Sequence, residues 1–365
     1  MDHVHMQRAL EAAERGRGLV SPNPLVGAVV VQGGDVVGEG WHEGPGNLHA
    51  EVVALEAAGD RARGATLYIT LEPCSHHGRT PPCAPRVAQA GIARVVAAIP
   101  DPNPLVDGGG IRHLREAGVE VEVGVLAQAA EEQNEAFLKH VRTGLPFVTL
   151  KMAASLDGKA AARDGSSKWI TGEEARSDAH LLRAAADAIL VGAGTAVRDD
   201  PALTCRHPEY RGAPKLRVVV DGRGIVPESN QVFDGEAPTL VVTTGAAPED
   251  RRTGWSRAGA EVLLEGDAGD GLVPLDRLMV ELGKRDMQHV LIEGGPTIAW
   301  DAVRRGIVDK IVLYFAPVLV GGQAAPSVLM GEGTPTIGAA RPLTLRSVER
   351  MGRDVKVVAD VHGDR

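Results

Sequence analysis

Residues 72 to 83, EPCSHHGRTPPC, hold two of the three cysteines in the chain. A second motif, His49-Ala50-Glu51, lies upstream at the predicted start of a helix. One histidine and two cysteines can supply three ligands to a zinc ion and leave the fourth tetrahedral position open for chemistry. The sequence therefore predicts a catalytic zinc site with His49, Cys74 and Cys83 as its ligands.

Glu51 lies two residues after His49, where a carboxylate would transfer protons rather than bind the metal. The arrangement is similar to the H-x-E and P-C-x-x-C signature of zinc deaminases, although eight residues rather than two separate the cysteines. Two alternatives stay open. His76 or His77 could close the site as the fourth ligand of a structural zinc, or the motifs could hold no metal.

The composition excludes several classes of protein. The chain has 365 residues, a net charge of -9 and 3% aromatic residues, so it lacks the basic, aromatic-rich surface of nucleic-acid-binding proteins. It shows neither a run of eighteen apolar residues nor a secretory pattern, and we expect a cytoplasmic protein without a membrane partner. Three cysteines in a cytoplasmic chain do not indicate a disulfide framework, and Cys205 is expected to be an ordinary thiol.

Apolar, β-branched segments alternate with helical patterns along the whole chain, which predicts α/β layers. The turn RTGLPF follows a helix and precedes a strand, so two domains are expected, at residues 1–144 and 145–365. In the first domain the pattern predicts a strand pair across Gly33-Gly34 and one closing helix over 127–142. The last strand predicted in the second domain covers 310–320.

The second domain lacks a G-x-G-x-x-G motif after a strand, which argues against a Rossmann fold. The segment LIEGGPTIAW instead predicts a strand that runs into Gly294-Gly295 and then a helix with Pro296 in its first turn. Such a turn directs backbone N–H groups at a phosphate. A plain strand-to-helix connection is the alternative.

Several segments together resemble one family. SPNPLVGAVVV, HAEVVAL, TLEPCSHHGRTPPC and DPNP (101–104) are similar to the bifunctional pyrimidine deaminase/reductase of riboflavin biosynthesis, whose own form has the longer loop between the cysteines. LKMAASLDGKAA, SKWITG and LIEGGPT resemble its reductase half, so the likeness covers essentially the whole chain. It implies a cytidine-deaminase-like three-layer α/β/α domain followed by a dihydrofolate-reductase-like α/β domain.

The resemblance also implies the chemistry. Zinc on His49, Cys74 and Cys83, with Glu51 as proton shuttle, would deaminate a diaminopyrimidinone that carries a ribosylamino 5-phosphate. NADPH would then reduce the ribosyl chain to a ribityl chain, and a homo-oligomer, dimer or tetramer, is expected. The alternative function is a zinc deaminase of another small pyrimidine or base, with an unrelated nucleotide-binding second domain.

The family's binding residues carry over to matching positions. Those for the deaminase substrate are Asn23, His42, His76 and Arg79. Those for NADPH are Ala153, Trp169, Thr195, Asp199, Gly295, Pro296, Thr297, Ile298, Ala299, Trp300 and Asp301. Those for the reductase substrate are Ser167, Arg183, Leu203, Arg206 and Glu293.

Three expectations concern the reductase residues in particular. Arg183 and Arg206 are expected to hold the substrate phosphate, since a guanidinium fork binds phosphate through two hydrogen bonds. Lys151 and Asp199 are the candidate proton donors, because reduction of an imine needs an acid near its nitrogen. Trp169 is expected to pack against the cofactor, with a core tryptophan as the alternative.

Overall fold

The computed structural model of the chain describes residues 1–75, 81–103, 106, 108–267 and 269–361. The chain divides into two units, Met1–Gly144 and Leu145–Arg365. Every helix in the described part of the chain is too short or too polar to cross a bilayer.

Helices and strands alternate in the first unit. They are α1 (Asp2–Glu14), β1 (Gly27–Gln32), β2 (Asp35–Trp41), α2 (Ala50–Ala58), β3 (Thr66–Leu71), α3 (Cys83–Gln89), β4 (Arg94–Ile99), α4 (Gly109–Glu116), β5 (Glu120–Val123), α5 (Ala127–Gln133) and α6 (Glu135–Thr143). The strands lie in the order β2-β1-β3-β4-β5. β1 is antiparallel to both neighbours, which confirms the predicted strand pair, and β3, β4 and β5 are parallel.

The sheet of the first unit has an apolar core on each face. Successive side chains of a strand point to opposite faces, and so Val95 and Val96 of β4 enter different cores. One core packs against α2, α3 and α4, and the other packs against α1, α5 and α6. The predicted three-layer α/β/α arrangement is thereby confirmed.

The closing helix of the first unit departs from the prediction. Its helical pattern runs without interruption over 127–142, but the structure ends α5 at Gln133 and starts α6 at Glu135. Asn134 lies between them with φ −107° and ψ 16°, and its buried side chain binds the main chain of Leu25. A contact with a residue so distant in sequence leaves no trace in a local pattern, and the prediction of one continuous helix is wrong.

The second unit is built on one long mixed sheet. Its elements are β6 (Phe147–Ser155), α7 (Glu173–Ala185), β7 (Ala188–Gly192), α8 (Ala193–Asp199), β8 (Leu216–Val220), β9 (Thr239–Thr243), α9 (Glu249–Arg257), β10 (Glu261–Leu264), α10 (Leu275–Lys284), β11 (His289–Glu293), α11 (Pro296–Arg304), β12 (Lys310–Ala316), β13 (Thr344–Met351) and β14 (Asp354–Asp360). The strand order is β10-β9-β8-β7-β11-β6-β12-β14-β13.

The strands from β10 to β12 in that order are parallel, and β14 and β13 are antiparallel additions. Apolar residues of α10 and α11 pack on one face of the sheet, and residues of α7, α8 and α9 pack on the other. The carboxyl ends of β7, β11 and β6 therefore meet at one edge, which is where parallel α/β sheets bind ligands. The α/β class is confirmed, but β12 ends at Ala316 rather than Val320, and β13 and β14 are not among the predicted strands.

Candidate active sites

The predicted zinc ligands of the first unit come together. His49 precedes α2 as its N-cap, Cys83 is the first residue of α3, and Cys74 follows β3. The Nδ1 atom of His49 lies 3.2 Å from Sγ of Cys83 and 3.7 Å from Sγ of Cys74. All three ligand atoms lie within 4.8 Å of one another.

These distances fit a zinc ion. With Zn–S and Zn–N bonds of about 2.3 and 2.0 Å, neighbouring ligand atoms of a tetrahedral site stand about 3.6 Å apart. The separations from His49 Nδ1 to the two sulfurs bracket that value. In addition, the backbone N–H of Cys83 donates to Sγ of Cys74 over 3.4 Å, which favours the thiolate that a metal requires.

The electrostatics of the cluster favour the thiolate form of Cys74, whereas the hydrogen bond to Cys74 raises the pKa of Cys83. Hydrogen bonding from Cys83 and from His49 lowers the pKa of Cys74 to about 4. The pKa of His49 is raised, with the hydrogen bond to Cys74 as the main cause. Glu51 lies in the first turn of α2, and burial raises its pKa above that of an exposed glutamate. Glu51 therefore holds a proton more readily than an exposed glutamate does, which suits a residue that accepts and returns protons.

Close helix-to-strand packing fixes the position of α2. A Cβ atom added to Gly38 would stand 2.1 Å from the carbonyl oxygen of Ala54, and one added to Gly40 would stand 2.4 Å from that of Ala50. Only glycine at these two positions of β2 lets α2 lie this close to the strand. The helix that begins just after His49 and carries Glu51 is thus seated directly on the sheet.

Two of the four predicted deaminase substrate residues lie beside the cluster. The side chain of Asn23 contacts Nε2 of His42 over 2.9 Å, and Nδ1 of His42 lies 3.1 Å from the carbonyl oxygen of Leu48. The rings of His42 and His49 meet edge to face, with centroids 5.5 Å apart. His76 and Arg79 lie outside the described residues.

In the second unit, three of the predicted residues form one charged group, which joins α7 to β6 and β11. Lys151 of β6 and Glu293 of β11 are partners in the register of the parallel strands. Arg183 of α7 binds Glu293 through two hydrogen bonds, Nε to Oε1 at 2.5 Å and Nη2 to Oε2 at 2.9 Å. Burial lowers the pKa of Lys151, which makes its ammonium a better acid.

The contacts of Arg183 correct the reason given for its prediction. Its fork faces Glu293 rather than solvent, and its Nη1 donates to the carbonyl oxygen of Thr204 over 3.0 Å. Both edges of the guanidinium therefore bind protein groups. Contrary to the prediction, the fork is not open to a phosphate. Arg206 is exposed, and its side chain is the better placed of the two arginines to meet an anion.

Sequence reasoning missed His180, which belongs to the same charged group. Its Nδ1 accepts a hydrogen bond from the backbone N–H of Arg206 over 3.1 Å. Burial, followed by the nearby charges of Arg183 and Arg206, lowers the pKa of His180 to about 4. His180 and Arg183 are three residues apart on one helical face, a spacing that could have drawn attention to the histidine.

A second group of predicted residues surrounds the turn after β11. Gly295 is the N-cap of α11 and Pro296 is at its start, so the predicted strand, glycine pair and helix are confirmed. Gly294 and Gly295 have φ of +89° and +68°, and both face Thr195 of α8. A Cβ atom on Gly295 would stand 3.0 Å from Oγ1 of Thr195. The starts of α8 and α11 thus face each other at the ends of adjacent strands.

Other predicted cofactor residues are more dispersed. Trp169 is 68% exposed and its ring is covered by the guanidinium of Arg176, so it is not a core tryptophan. Burial raises the pKa of Asp199, and its charged neighbours are Arg198 and Lys168 rather than the group around Lys151. Ala299 lies in the apolar core.

The remaining predicted residues have mainly local contacts. Asp301 is paired with Arg304 and Arg305 on its own helix or at its end. Ala153 lies on β6 opposite Tyr314 of β12. Leu203 is buried with φ +51°. The backbone carbonyl of Ser167 accepts a hydrogen bond from the N–H of Ile170. On α11, Thr297 is exposed, and Ile298 and Trp300 are partly buried.

Comparison with known proteins accounts for both units. Residues 1–99 match the family model described as the cytidine and deoxycytidylate deaminase zinc-binding region. Residues 146–357 match the model of the RibD C-terminal domain. The two matches fall on the unit that holds the cysteine cluster and on the unit that holds the Lys151 group.

Similar proteins cover nearly the full length. The riboflavin biosynthesis protein RibD of Bacillus amyloliquefaciens is 46% identical over 98% of this chain and 96% of its own length. The Escherichia coli protein of the same name is 40% identical over 97% and 98%. The solved structure of Acinetobacter baumannii RibD superposes with a TM-score of 0.88 at 38% identity, and covers 99% of both chains.

A further solved structure, from Thermotoga maritima, is titled a diaminohydroxyphosphoribosylaminopyrimidine deaminase/5-amino-6-(5-phosphoribosylamino)uracil reductase. It has a TM-score of 0.87 and 35% identity over 99% of both chains. The chain described here belongs to the RibD family of riboflavin biosynthesis proteins, and it is a bifunctional enzyme with a zinc-binding deaminase domain followed by a reductase domain.

Proposed function

We propose that the two units act in sequence on one small phosphorylated pyrimidine. Residues 1–144 hydrolyse an amino group from 2,5-diamino-6-(5-phosphoribosylamino)pyrimidin-4-one and release ammonia. Residues 145–365 then reduce the ribosyl side chain of the deaminated product to ribityl with NADPH. The observation that carries this proposal is the His49, Cys74 and Cys83 cluster with a buried glutamate in the adjoining helical turn.

The proposed ligands of the zinc ion are His49, Cys74 and Cys83. When bound, zinc supplies a Lewis acid that makes water nucleophilic near neutral pH. Glu51 is the proposed acid and base: it would accept the protons that the attacking water gives up and deliver them to the ring nitrogen and then to the departing amine. Glu51 is 3% exposed, which would confine this proton transfer to the attacking water and the substrate.

Asn23 and His42 are the proposed contacts to the pyrimidinone. One hydrogen of the Asn23 amide is directed at Nε2 of His42, which fixes the orientation of the amide. Its carbonyl oxygen and second N–H can then meet an acceptor and a donor on the edge of the ring. Burial, the largest influence, lowers the pKa of His42, which favours the neutral imidazole that this contact needs. His76 and Arg79 remain the sequence-based candidates for the ribose phosphate.

NADPH is proposed to bind at the edge where β7 and β11 end. When bound, it supplies a hydride to the carbon of the opened sugar. The first turns of α8 and α11 face each other there, and the N-terminus of α11 presents backbone N–H groups to a phosphate. The residues proposed to line this site are Ala153, Trp169, Thr195, Asp199, Gly295, Pro296, Thr297, Ile298, Ala299, Trp300 and Asp301.

Lys151 is the proposed proton donor of the reductase. It lies opposite Glu293 in the strand register, and burial lowers its pKa towards the range in which an ammonium donates efficiently. Asp199 is the second candidate, although its charged neighbours are Arg198 and Lys168. Glu293, held by Arg183, is proposed to orient the substrate, and the remaining substrate contacts are Ser167, Leu203 and Arg206.

We further propose that the enzyme is a cytoplasmic homo-oligomer. None of the three cysteines is in a disulfide, which suits a reducing compartment. β13 is the last strand in its sheet, and Leu345 and Val348 on it are 64% and 61% exposed. An edge strand with exposed apolar side chains is a surface that a second chain can cover. Light scattering on the wild type and on Val348→Lys tests this proposal, since a monomeric wild type would contradict it.

One assay tests the reaction sequence. The purified enzyme is supplied with the phosphorylated diaminopyrimidinone, with and without NADPH, and ammonia and product mass are followed. We expect ammonia release in both reactions and a reduced product only when NADPH is present. Reduction of the substrate before any ammonia appears would contradict the proposed order.

A further inference from the structure

The contact between Asn134 and Leu25 ties the break between α5 and α6 to the loop that carries Asn23. Oδ1 of Asn134 accepts from the backbone N–H of Leu25 over 2.8 Å, and its Nδ2 donates to the Leu25 carbonyl oxygen over 2.9 Å. Both residues are buried. The bond from Nδ2 to the carbonyl of Ala130, in its own helix, is longer at 3.5 Å. The Asn134 side chain therefore binds the distant loop more closely than it binds α5.

The chain leads from Leu25 back to Asn23, and hydrogen bonds lead from the Asn23 side chain towards the metal ligands. Asn23, two residues before Leu25, donates its backbone N–H to the carbonyl of Val20 over 2.8 Å. Its side chain contacts His42, and the opposite ring nitrogen of His42 reaches the carbonyl oxygen of Leu48. Leu48 directly precedes the ligand His49. The Asn134 amide is thus the outer end of a network whose inner end is the metal site.

We propose that Asn134 is a positioning residue of the deaminase. It holds the Leu25 main chain so that the Asn23 amide lies within hydrogen-bond distance of the pyrimidinone. The inference rests on the proposed function of the first unit. It adds a residue that touches neither metal nor substrate and that acts on substrate recognition through the 21–25 loop. A paired amide clamp of this type fixes both the distance and the rotation of the segment it holds.

The expected effect follows from what the clamp leaves behind when it is removed. Asn134→Ala leaves the buried N–H and carbonyl groups of Leu25 without their hydrogen-bond partners, and the loop must shift for these groups to find others. A displacement of about 1 Å at a substrate contact can lower the catalytic efficiency by about 100-fold, and a displaced binding group such as Asn23 acts first on substrate affinity. We therefore expect kcat/KM for ammonia release to fall about 10- to 100-fold, mainly through KM, with a full complement of zinc. Asn134→Asp should behave similarly, because it removes the donor to the Leu25 carbonyl.

Gln133→Ala is the matched control. Gln133 is the neighbour of Asn134 at the same helix junction, and its amide donates over 2.9 Å to the carbonyl oxygen of Leu10 and to Glu14, both on α1. The control removes a neighbouring side-chain amide whose two hydrogen bonds go to α1 and not to the 21–25 loop. Hydrogen exchange of the Leu25 amide, read by mass spectrometry, should speed up in Asn134→Ala and stay unchanged in Gln133→Ala.

A double-mutant cycle with Asn23→Ala separates positioning from a general structural role. If Asn134 acts through Asn23, adding Asn134→Ala to Asn23→Ala should lower kcat/KM by less than 2-fold more. Full additivity of the two losses, or loss of activity only in step with loss of zinc, overturns the inference. An Asn23→Ala enzyme with normal KM overturns it together with the assignment of Asn23.

The inference can also be judged apart from the reaction. The dissociation constant of the phosphorylated diaminopyrimidinone is measured by calorimetry in a Glu51→Gln background, which should keep zinc but not hydrolyse the compound. It should rise about 10-fold or more when Asn134→Ala is added and stay unchanged when Gln133→Ala is added. If the wild type binds this compound without releasing ammonia, the proposed function is refuted. An unchanged dissociation constant in Asn134→Ala refutes the inference alone.

Discussion

The ion pair between Arg183 and Glu293 allows a quantitative prediction for the second unit. The side chains are 14% and 9% exposed, and so Arg183→Ala would leave a carboxylate buried without its main partner. Burial alone would raise the pKa of Glu293, but the charge and hydrogen bonds of Arg183 hold it at about 2, against 4.5 ordinarily. A difference of this size corresponds to about 3 kcal/mol of folding free energy. Removal of one partner from a buried pair costs about 3–5 kcal/mol, in agreement.

Unfolding by guanidinium tests this value. Trp41 is in the first unit and the other three tryptophans are in the second, so fluorescence in a Trp41→Phe background reports on the second unit. The control is Arg285→Ala, which breaks a similarly bidentate pair with Glu261 whose side chain is 57% exposed. Exposed pairs contribute about 0–1 kcal/mol, and the control should lose no more than that.

The pH dependence gives the same prediction a second readout. Because the pKa of folded Glu293 is depressed, its stabilisation is complete above the unfolded value of 4.5 and is lost as the pH falls towards 2. Arg183→Ala should lose most of this pH dependence. The reasoning would be refuted if Arg183→Ala cost no more than Arg285→Ala, or if its stability fell between pH 5 and 2 as steeply as that of the wild type.

Three further predictions concern the proposed chemistry. Cys83→Ser should lose both zinc, measured by metal analysis, and ammonia release. Glu51→Gln should keep zinc while deamination falls by about 10²- to 10⁴-fold. Equal loss of metal in both variants would make Glu51 a ligand. Lys151→Ala should depress reduction at saturating NADPH with near-normal ammonia release, and Asp199→Asn should mainly weaken NADPH binding, seen by titration; the reverse pattern would exchange their roles. Cleavage of the gene after Gly144 should give a first fragment that binds zinc and releases ammonia without NADPH, and a folded, zinc-bound but inactive fragment would show that this site needs both units.

Local patterns account for most of the fold but not for its exceptions. Alternation of apolar segments is a local property, and it locates the strands from β1 to β12 and most helices. The break at Asn134 depends on Leu25, most residues of β13 are exposed, and most residues of β14 are only partly buried, so none of these features produces a clear pattern. Strand prediction from sequence relies on burial, and an edge hairpin offers little of it.

The two sites differ in how much the sequence could indicate. The zinc cluster was predicted by ligand type and spacing, because metal chemistry restricts both. The group around Lys151 depends on the pairing of β6 with β11, which brings residues 151 and 293 together only in the folded sheet. The fork of Arg183 could not be assigned from sequence for a similar reason, since its partner Glu293 is distant in the chain and adjacent in space.

If NADPH binds at the facing turns of α8 and α11, as proposed, these turns restrict how the cofactor preference of this enzyme can be engineered. Gly294 and Gly295 both have left-handed φ, and a side chain on either would press on Thr195 at 3.0 to 3.3 Å. Neither glycine can be replaced without backbone strain and a shift of the Thr195 side chain. Thr195 supplies the atoms on the other side of the gap, and Thr195→Ser would remove the methyl group while keeping the hydroxyl. A library that aims at a different nicotinamide cofactor should therefore keep both glycines and vary the α8 side of the pocket.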